Sequence, residues 1–306
     1  MNYYLLSVES TISRKKIKIS IFLIVVITVI IATLLGIQFA KYISDKNFII
    51  SLNNNKENAQ ILEEKIKEEK QIAELERQNN VPRVPVYTEK SIENYNNIYI
   101  SDEKIAYLTF DDGPSRAVTP LILDKLKEND VKATFFVLGS RVRINPSLVK
   151  RTYDEGHYIA NHSYSHVYKD IYVSKEALMD EYNRTEIAIR EALGISEYNS
   201  HLFRFPGGSM GNNKYTKVKN EAKQLLQESG VFYLDWNSLT GDSEGKYTKE
   251  ALLEHLHWTS EDKGNVLVVL MHDAPDKILT AETLQDVIDL LRNKGYEFRS
   301  FYNIME

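Results

Sequence analysis

The stretch NVLVVLMH at residues 265–272 places six consecutive apolar side chains before its terminal histidine. A strand with one wet face alternates apolar and polar residues. A run that is apolar at every position needs cover on both faces, which is the condition of a parallel strand sandwiched between helices. Comparable strand candidates lie at 104–110 (KIAYLTF), 133–139 (ATFFVLG), 157–163 (HYIANHS), 202–208 (LFRFPGG), 231–237 (VFYLDWN) and 296–302 (YEFRSFY). Amphipathic segments at 120–130, 174–194, 214–230, 248–258 and 281–295 separate them. Strand and helix in alternation, joined by right-handed crossovers, predict an α/β domain with a parallel sheet, either a barrel or an open doubly wound sheet.

Composition narrows what such a domain does. The chain has 306 residues, 43% of them hydrophobic, which suits a folded protein. Its 38 Lys and Arg against 43 Asp and Glu give a net charge of −5, so no basic face is expected for nucleic acid. There is no cysteine, which excludes thiolate catalysis, disulfides and zinc–cysteine sites and leaves imidazole and carboxylate as metal ligands.

The N-terminal third reads differently. Residues 19–40 (ISIFLIVVITVIIATLLGIQFA) carry no charge, and roughly 20 apolar residues span a bilayer as a helix. Arg14, Lys15, Lys16 and Lys18 precede the run, so the positive-inside rule predicts a cytoplasmic tail at 1–18 and everything after 40 outside the cell membrane. A cleaved signal peptide is the other reading, but the run is longer than an h-region of roughly 7–15 residues. Residues 41–100 are expected to form an extracellular stalk: a mixed-charge, helix-compatible run at 56–80, then a break at Pro82 and Pro85. Leu62, Ile66 and Ala73 offer a weak seam for self-association of the stalk. The compact domain is placed at 101–306.

Polar residues gather at the C-terminal ends of the strand candidates, the rim where parallel α/β folds do their chemistry. Asp111 and Asp112 follow the first strand, His162 and His166 the third, and Asp242 the fifth; Arg204 is placed in the fourth, and His272 ends the sixth. Adjacent carboxylates repel unless a cation neutralises one, so a metal on one leaves the other free as a base. His162 and His166, four apart, face the same way on a helical turn, and two imidazoles with one carboxylate leave a tetrahedral metal an open position. His255 and His257, two apart on a helical segment, point to different faces and receive no role.

Five segments in order, TFDDGPS (109–115), HSYSH (162–166), RFPGG (204–208), DWNSLTGD (235–242) and LMHD (270–273), resemble the motifs of the polysaccharide deacetylase family, the NodB-homology domain of carbohydrate esterase family 4. The resemblance covers residues 101–306. It implies a distorted (β/α) barrel of about seven parallel strands and metal-dependent hydrolysis of a linear amide, the N-acetyl group of an amino sugar in a polymer. By that likeness Asp112, His162 and His166 would bind zinc, or another divalent metal such as cobalt. Asp111 would be the general base, with Arg204 holding it. His272 would be the general acid, tuned by Asp242 with Asp273 as runner-up. Pro206 and Gly207 would form the oxyanion site through the Gly207 N–H, where the family usually carries a bulky aromatic, most often Tyr. Trp236 would line the acetyl pocket or pack in the core. The expected partner is cell-wall polysaccharide, with N-acetylglucosamine of peptidoglycan favoured by the membrane tether. Other N-acetylated glycans of poly-N-acetylglucosamine or chitin type, O-acetylated xylan-like glycans, and a non-catalytic wall-binding role are the alternatives.

Overall fold

The structure, a computed structural model, describes residues 33–38, 40–42 and 83–305. The chain divides into two units, Met1–Val81 and Pro82–Glu306. Within the first, residues 33–38 and 40–42 are helical; the rest of the expected anchor, the tail at 1–18 and the charged run at 56–80 lie outside the described residues. No helix among the described residues is long and apolar enough to cross a membrane.

In the second unit eight parallel strands form one curled sheet. They are β1 (Ile105–Asp111), β2 (Thr134–Val137), β3 (Tyr158–Asn161), β4 (Leu202–Phe203), β5 (Phe232–Tyr233), β6 (Ser238–Leu239), β7 (Val266–His272) and β8 (Glu297–Arg299). Their order is β5-β4-β3-β2-β1-β7-β6, with β8 also on β1. Strand β1 is the hub. It pairs with β7 along its whole length, from Ile105 opposite Val266 to Asp111 opposite His272. Its other edge is divided, β8 taking Ile105 to Tyr107 and β2 taking Thr109 to Asp111.

Alternation along these strands builds two apolar layers. Ala106, Leu108 and Phe110 of β1, with Leu267, Val269 and Met271 of β7, pack outward against helices α1 (Thr119–Glu128) and α2 (Ile278–Asn293) through Ile122, Leu126, Leu284 and Ile288. Ile105, Tyr107, Val266 and Val268 face the interior of the curl with Phe136, Tyr158, Ala160 and Phe301. The same period of two puts Thr109, Asp111 and His272 on the interior side. Apolar filling stops where the strands reach their C-terminal ends, and the polar site begins there.

Four expectations change. The barrel is open, because β5 and β6 end the sheet without pairing to each other. One strand beyond the seven expected, β6 (Ser238–Leu239), pairs with β7 but is too short and too polar to stand out in the sequence. The fourth strand ends at Phe203, so Arg204 lies just beyond it. Residues 162–166 are a loop and not a helical turn, with Ser163 and His166 in the left-handed region at φ 73° and 59°.

Residues 83–100, assigned to the stalk by composition, pack with the compact unit. The helix Glu89–Asn96 is started by a capping box between Thr88 and Ser91. Its Tyr95 stacks on Phe232 with centroids 4.3 Å apart and donates its hydroxyl to the Tyr233 carbonyl at 2.5 Å. Tyr95→Ala in the full chain should therefore lower stability by about 2–4 kcal/mol, by analogy with other aromatic truncations. The exposed Glu93→Ala should change it by less than about 0.5 kcal/mol. Urea denaturation measures both, and equal midpoints would show that the segment adds nothing to the domain.

Candidate active site

At the C-terminal end of the sheet a cavity of about 290 Å³ is lined by Asp111, Asp112, His162, His166, Tyr168, Gly207, Trp236, Asp242 and His272, among others. Asp111 sits at its floor, 2% exposed, with Arg204 Nη1 2.8 Å from its Oδ1. Arg204 is fully buried. Its remaining donors reach Thr109 Oγ1 (2.8 Å), the Leu234 carbonyl (2.8 Å) and the Asp235 carbonyl (3.4 Å), and its guanidinium lies over the Phe136 ring at 4.0 Å. A buried pair of charges is tolerable only when its hydrogen bonds are satisfied in this way.

Strand alternation alone would send Asp112 to the face opposite Asp111. It adopts φ 72° instead, just past the end of β1, and its carboxylate returns to the cavity. Asp112 Oδ1 lies 3.7 Å from His162 Nε2 and 3.4 Å from His166 Nε2, and is buried without a hydrogen-bond partner. An orphaned buried acceptor costs about 1–3 kcal/mol, and a cation among these three atoms removes that cost. The three ligand atoms lie within 4.8 Å of one another, a spacing that suits a common centre roughly 2.0–2.2 Å from each. His162 Nδ1 is 2.8 Å from the Arg204 carbonyl, which can only accept; Nδ1 therefore carries the proton and Nε2 offers its lone pair. Burial pushes the Asp112 carboxyl up, but His162, His166, His272 and Arg141 together hold it below the ordinary range. Burial and the neighbouring His162 lower His166, favouring the neutral imidazole that a metal needs.

His272 lines the same cavity and pairs with a different carboxylate. Its Nδ1 is 2.8 Å from Asp242 Oδ1, and its backbone N–H donates to Asp242 Oδ2 at 2.8 Å. Thr280 Oγ1 donates to the same carboxylate at 2.8 Å and fixes it. Burial works against the imidazolium, but the hydrogen bond and charge of Asp242, with Asp111 and Asp112 behind it, raise His272 above its ordinary value. Asp273, the alternative partner, lies elsewhere: it accepts from Thr119 Oγ1 at 2.5 Å, and burial pushes it up to about 7.

The polysaccharide deacetylase family model matches residues 99–226. The peptidoglycan-N-acetylglucosamine deacetylase of Listeria monocytogenes is 36% identical over 201 residues, 65% of this chain and 38% of that protein. The peptidoglycan-N-acetylmuramic acid deacetylase of Bacillus subtilis is 32% identical over 217 residues, covering 70% of this chain and 77% of its own length. The chain belongs to the polysaccharide deacetylase family. A carbohydrate esterase family 4 structure from Streptococcus mutans superposes with a TM-score of 0.63 at 30% identity, over 70% of this chain and 92% of that one. The chain thus spans well under half the length of the Listeria relative.

In this polysaccharide deacetylase domain most of the sequence-derived residues line the cavity, and the buried Arg204 meets it through Asp111. Pro206 does not line the cavity; its carbonyl accepts the Tyr172 hydroxyl at 2.7 Å, so its part is to position Gly207. Trp236 lines the cavity and also packs against the interior layer. Two groups escaped the sequence reading. Glu181 Oε2 accepts the N–H groups of Tyr164 (2.9 Å) and Ser165 (2.7 Å), pinning the histidine loop from the helix Lys175–Leu193, 17 and 16 residues further along the chain. Tyr168 follows the second histidine by two residues and nothing in its surroundings in sequence distinguishes it.

Because Asp242 is what raises His272, Asp242→Asn should move the His272 ring titration to lower pH in a ring-carbon NMR pH series. An unmoved midpoint would remove Asp242 from that role. Arg204→Met should cost about 3–5 kcal/mol, since it strands the Asp111 carboxylate in the interior; a denaturation midpoint equal to that of the parent would contradict it.

Proposed function

We propose that this chain is a zinc-dependent deacetylase that hydrolyses the N-acetyl group of N-acetylglucosamine residues in extracellular polysaccharide, with peptidoglycan as the substrate. The observation that carries the reading is the orphaned Asp112 Oδ1 between two imidazoles, flanked by the Asp111–Arg204 pair on one side and the His272–Asp242 pair on the other. An amide is a weak electrophile with a poor leaving group, so its hydrolysis needs a base, an oxyanion site and an acid. Asp112, His162 and His166 would hold the metal, which when bound acidifies water and polarises a carbonyl.

Each remaining step falls to a protein side chain. Asp111, oriented by Arg204, takes the proton from the attacking water. The Gly207 N–H, which has no acceptor among the described residues, donates to the oxygen that gains charge. Its loop is held by Tyr172 on the Pro206 carbonyl, by Lys219 Nζ on the Gly208 carbonyl (2.5 Å) and by Asp235 on Ser209 N (2.8 Å), so the missing side chain at 207 does not leave the donor loose. His272, protonated through Asp242, gives its proton to the departing amine. Trp236 forms a wall beside the acetyl group. In the cell the apolar run at 19–40 would anchor the chain with its N-terminus in the cytoplasm, and the following segment would hold the domain on the outer face, within reach of wall polymer.

Acetate release from N-acetylated peptidoglycan, abolished by a chelator and restored by zinc, tests the reading; release only from an O-acetylated xylan would replace it with an esterase, and release from neither would overturn it. Asp111→Asn should retain stoichiometric zinc while kcat falls about 10²–10⁴-fold. Asp112→Asn should lose zinc. Equal zinc loss in both variants, by elemental analysis, would refute the division between ligand and base.

A further inference from the structure

Tyr168 stands where a side chain at position 207 would begin. A Cβ built on Gly207 would lie 2.4 Å from the Tyr168 hydroxyl oxygen and 3.1 Å from its ring carbon Cζ. With standard backbone dimensions the hydroxyl is then within about 5 Å of the Gly207 nitrogen. Gly207 also has φ 72°, so the absence of a side chain answers two constraints, the backbone conformation and the room that Tyr168 takes.

The tyrosine is held from three sides and free at its tip. It begins the short helix Tyr168–Ile171, and its ring makes edge contacts with His166 (5.5 Å), Tyr172 (5.7 Å) and Tyr215 (6.0 Å). Tyr172 in turn bonds the Pro206 carbonyl, so the ring and the Gly207 loop form one assembly. The hydroxyl has no hydrogen-bond partner among the described residues, and the side chain lines the cavity next to Asp112 and His166. A phenol fixed by its ring, with its O–H directed into a cavity beside a second unpaired donor, is placed to receive a ligand oxygen.

We propose that Tyr168 is a second oxyanion donor, its O–H joining the Gly207 N–H on the acetyl oxygen as that oxygen gains negative charge. The proposal rests on the deacetylase reading above. Donors aimed at charge that develops only in the transition state act on kcat and leave ground-state affinity alone. A ring that served packing alone would keep its function as phenylalanine.

Tyr168→Phe in the full chain loaded with zinc should lower kcat about 10²-fold, with KM and zinc stoichiometry unchanged. Affinity for the methylphosphonamidate analogue of the acetylated sugar, a stable tetrahedral oxyanion, should fall by the same factor as kcat/KM. Tyr215→Phe, which alters a ring neighbour outside the cavity, should leave both near the parent values. A raised KM with kcat intact would make Tyr168 a sugar-binding residue and overturn the proposal. Unchanged kinetics, or equal losses in the two variants, would overturn it in favour of packing. If the parent itself releases no acetate from glycan, the deacetylase reading fails first, and that result is distinct from any outcome in the variants.

Discussion

The Asp111–Arg204 pair is the interaction on which the site depends. Its two charges sit in the interior of the curled sheet, where an unpaired ion would be untenable. Arg204 comes from just beyond β4, yet its donors end on β1 through Asp111 and Thr109 and on the segment after β5 through Leu234 and Asp235. One guanidinium therefore ties together three parts of a sheet that does not close on itself. Its backbone contributes as well: the Arg204 carbonyl sets the proton position of His162, and the Arg204 N–H donates to Asn161 at 2.9 Å. Asp111, His162 and the geometry of the sheet share a single anchor.

The cluster of Asp112, His162 and His166 is assembled by local conformations that the backbone does not prefer. Asp112, Ser163 and His166 all occupy the left-handed region, where a non-glycine residue costs roughly 1–3 kcal/mol. The surroundings hold them there. Arg141 Nη1 donates to the Asp112 carbonyl at 2.5 Å, Asn161 Oδ1 accepts the Ser163 N–H at 3.0 Å, and Glu181 takes the two amides that follow. Strain and support together turn three side chains toward one point.

The cavity is arranged by charge in a similar way. Imidazoles facing a carboxylate without another partner stay available as ligands, whereas the imidazole paired with Asp242 is biased toward its protonated form. Histidines outside the cavity show the contrast. His157 is driven down to about 3 by burial and accepts the Ala133 N–H, and His201 bonds the Gly230 carbonyl at 2.7 Å; both serve the scaffold.

The sequence by itself determined the parallel α/β class, because runs such as 265–272 have no polar face to offer water. It also determined which residues gather at the rim, because each follows a strand whose apolar period ends there. One strand was not legible: Ser238–Leu239 has no apolar run to mark it and holds its place through pairing with β7, a long-range contact that one serine and one leucine cannot announce. Nor could local pattern show that 162–166 is a loop, since the spacing of two histidines is the same on paper for a helix and for a bend. Tertiary structure decided which carboxylate serves His272, which of Asp111 and Asp112 meets Arg204, and that Tyr168 occupies the space beside Gly207. Those are matters of distance between segments far apart in the chain, and distance is fixed only when the sheet curls and the layers on its two faces pack.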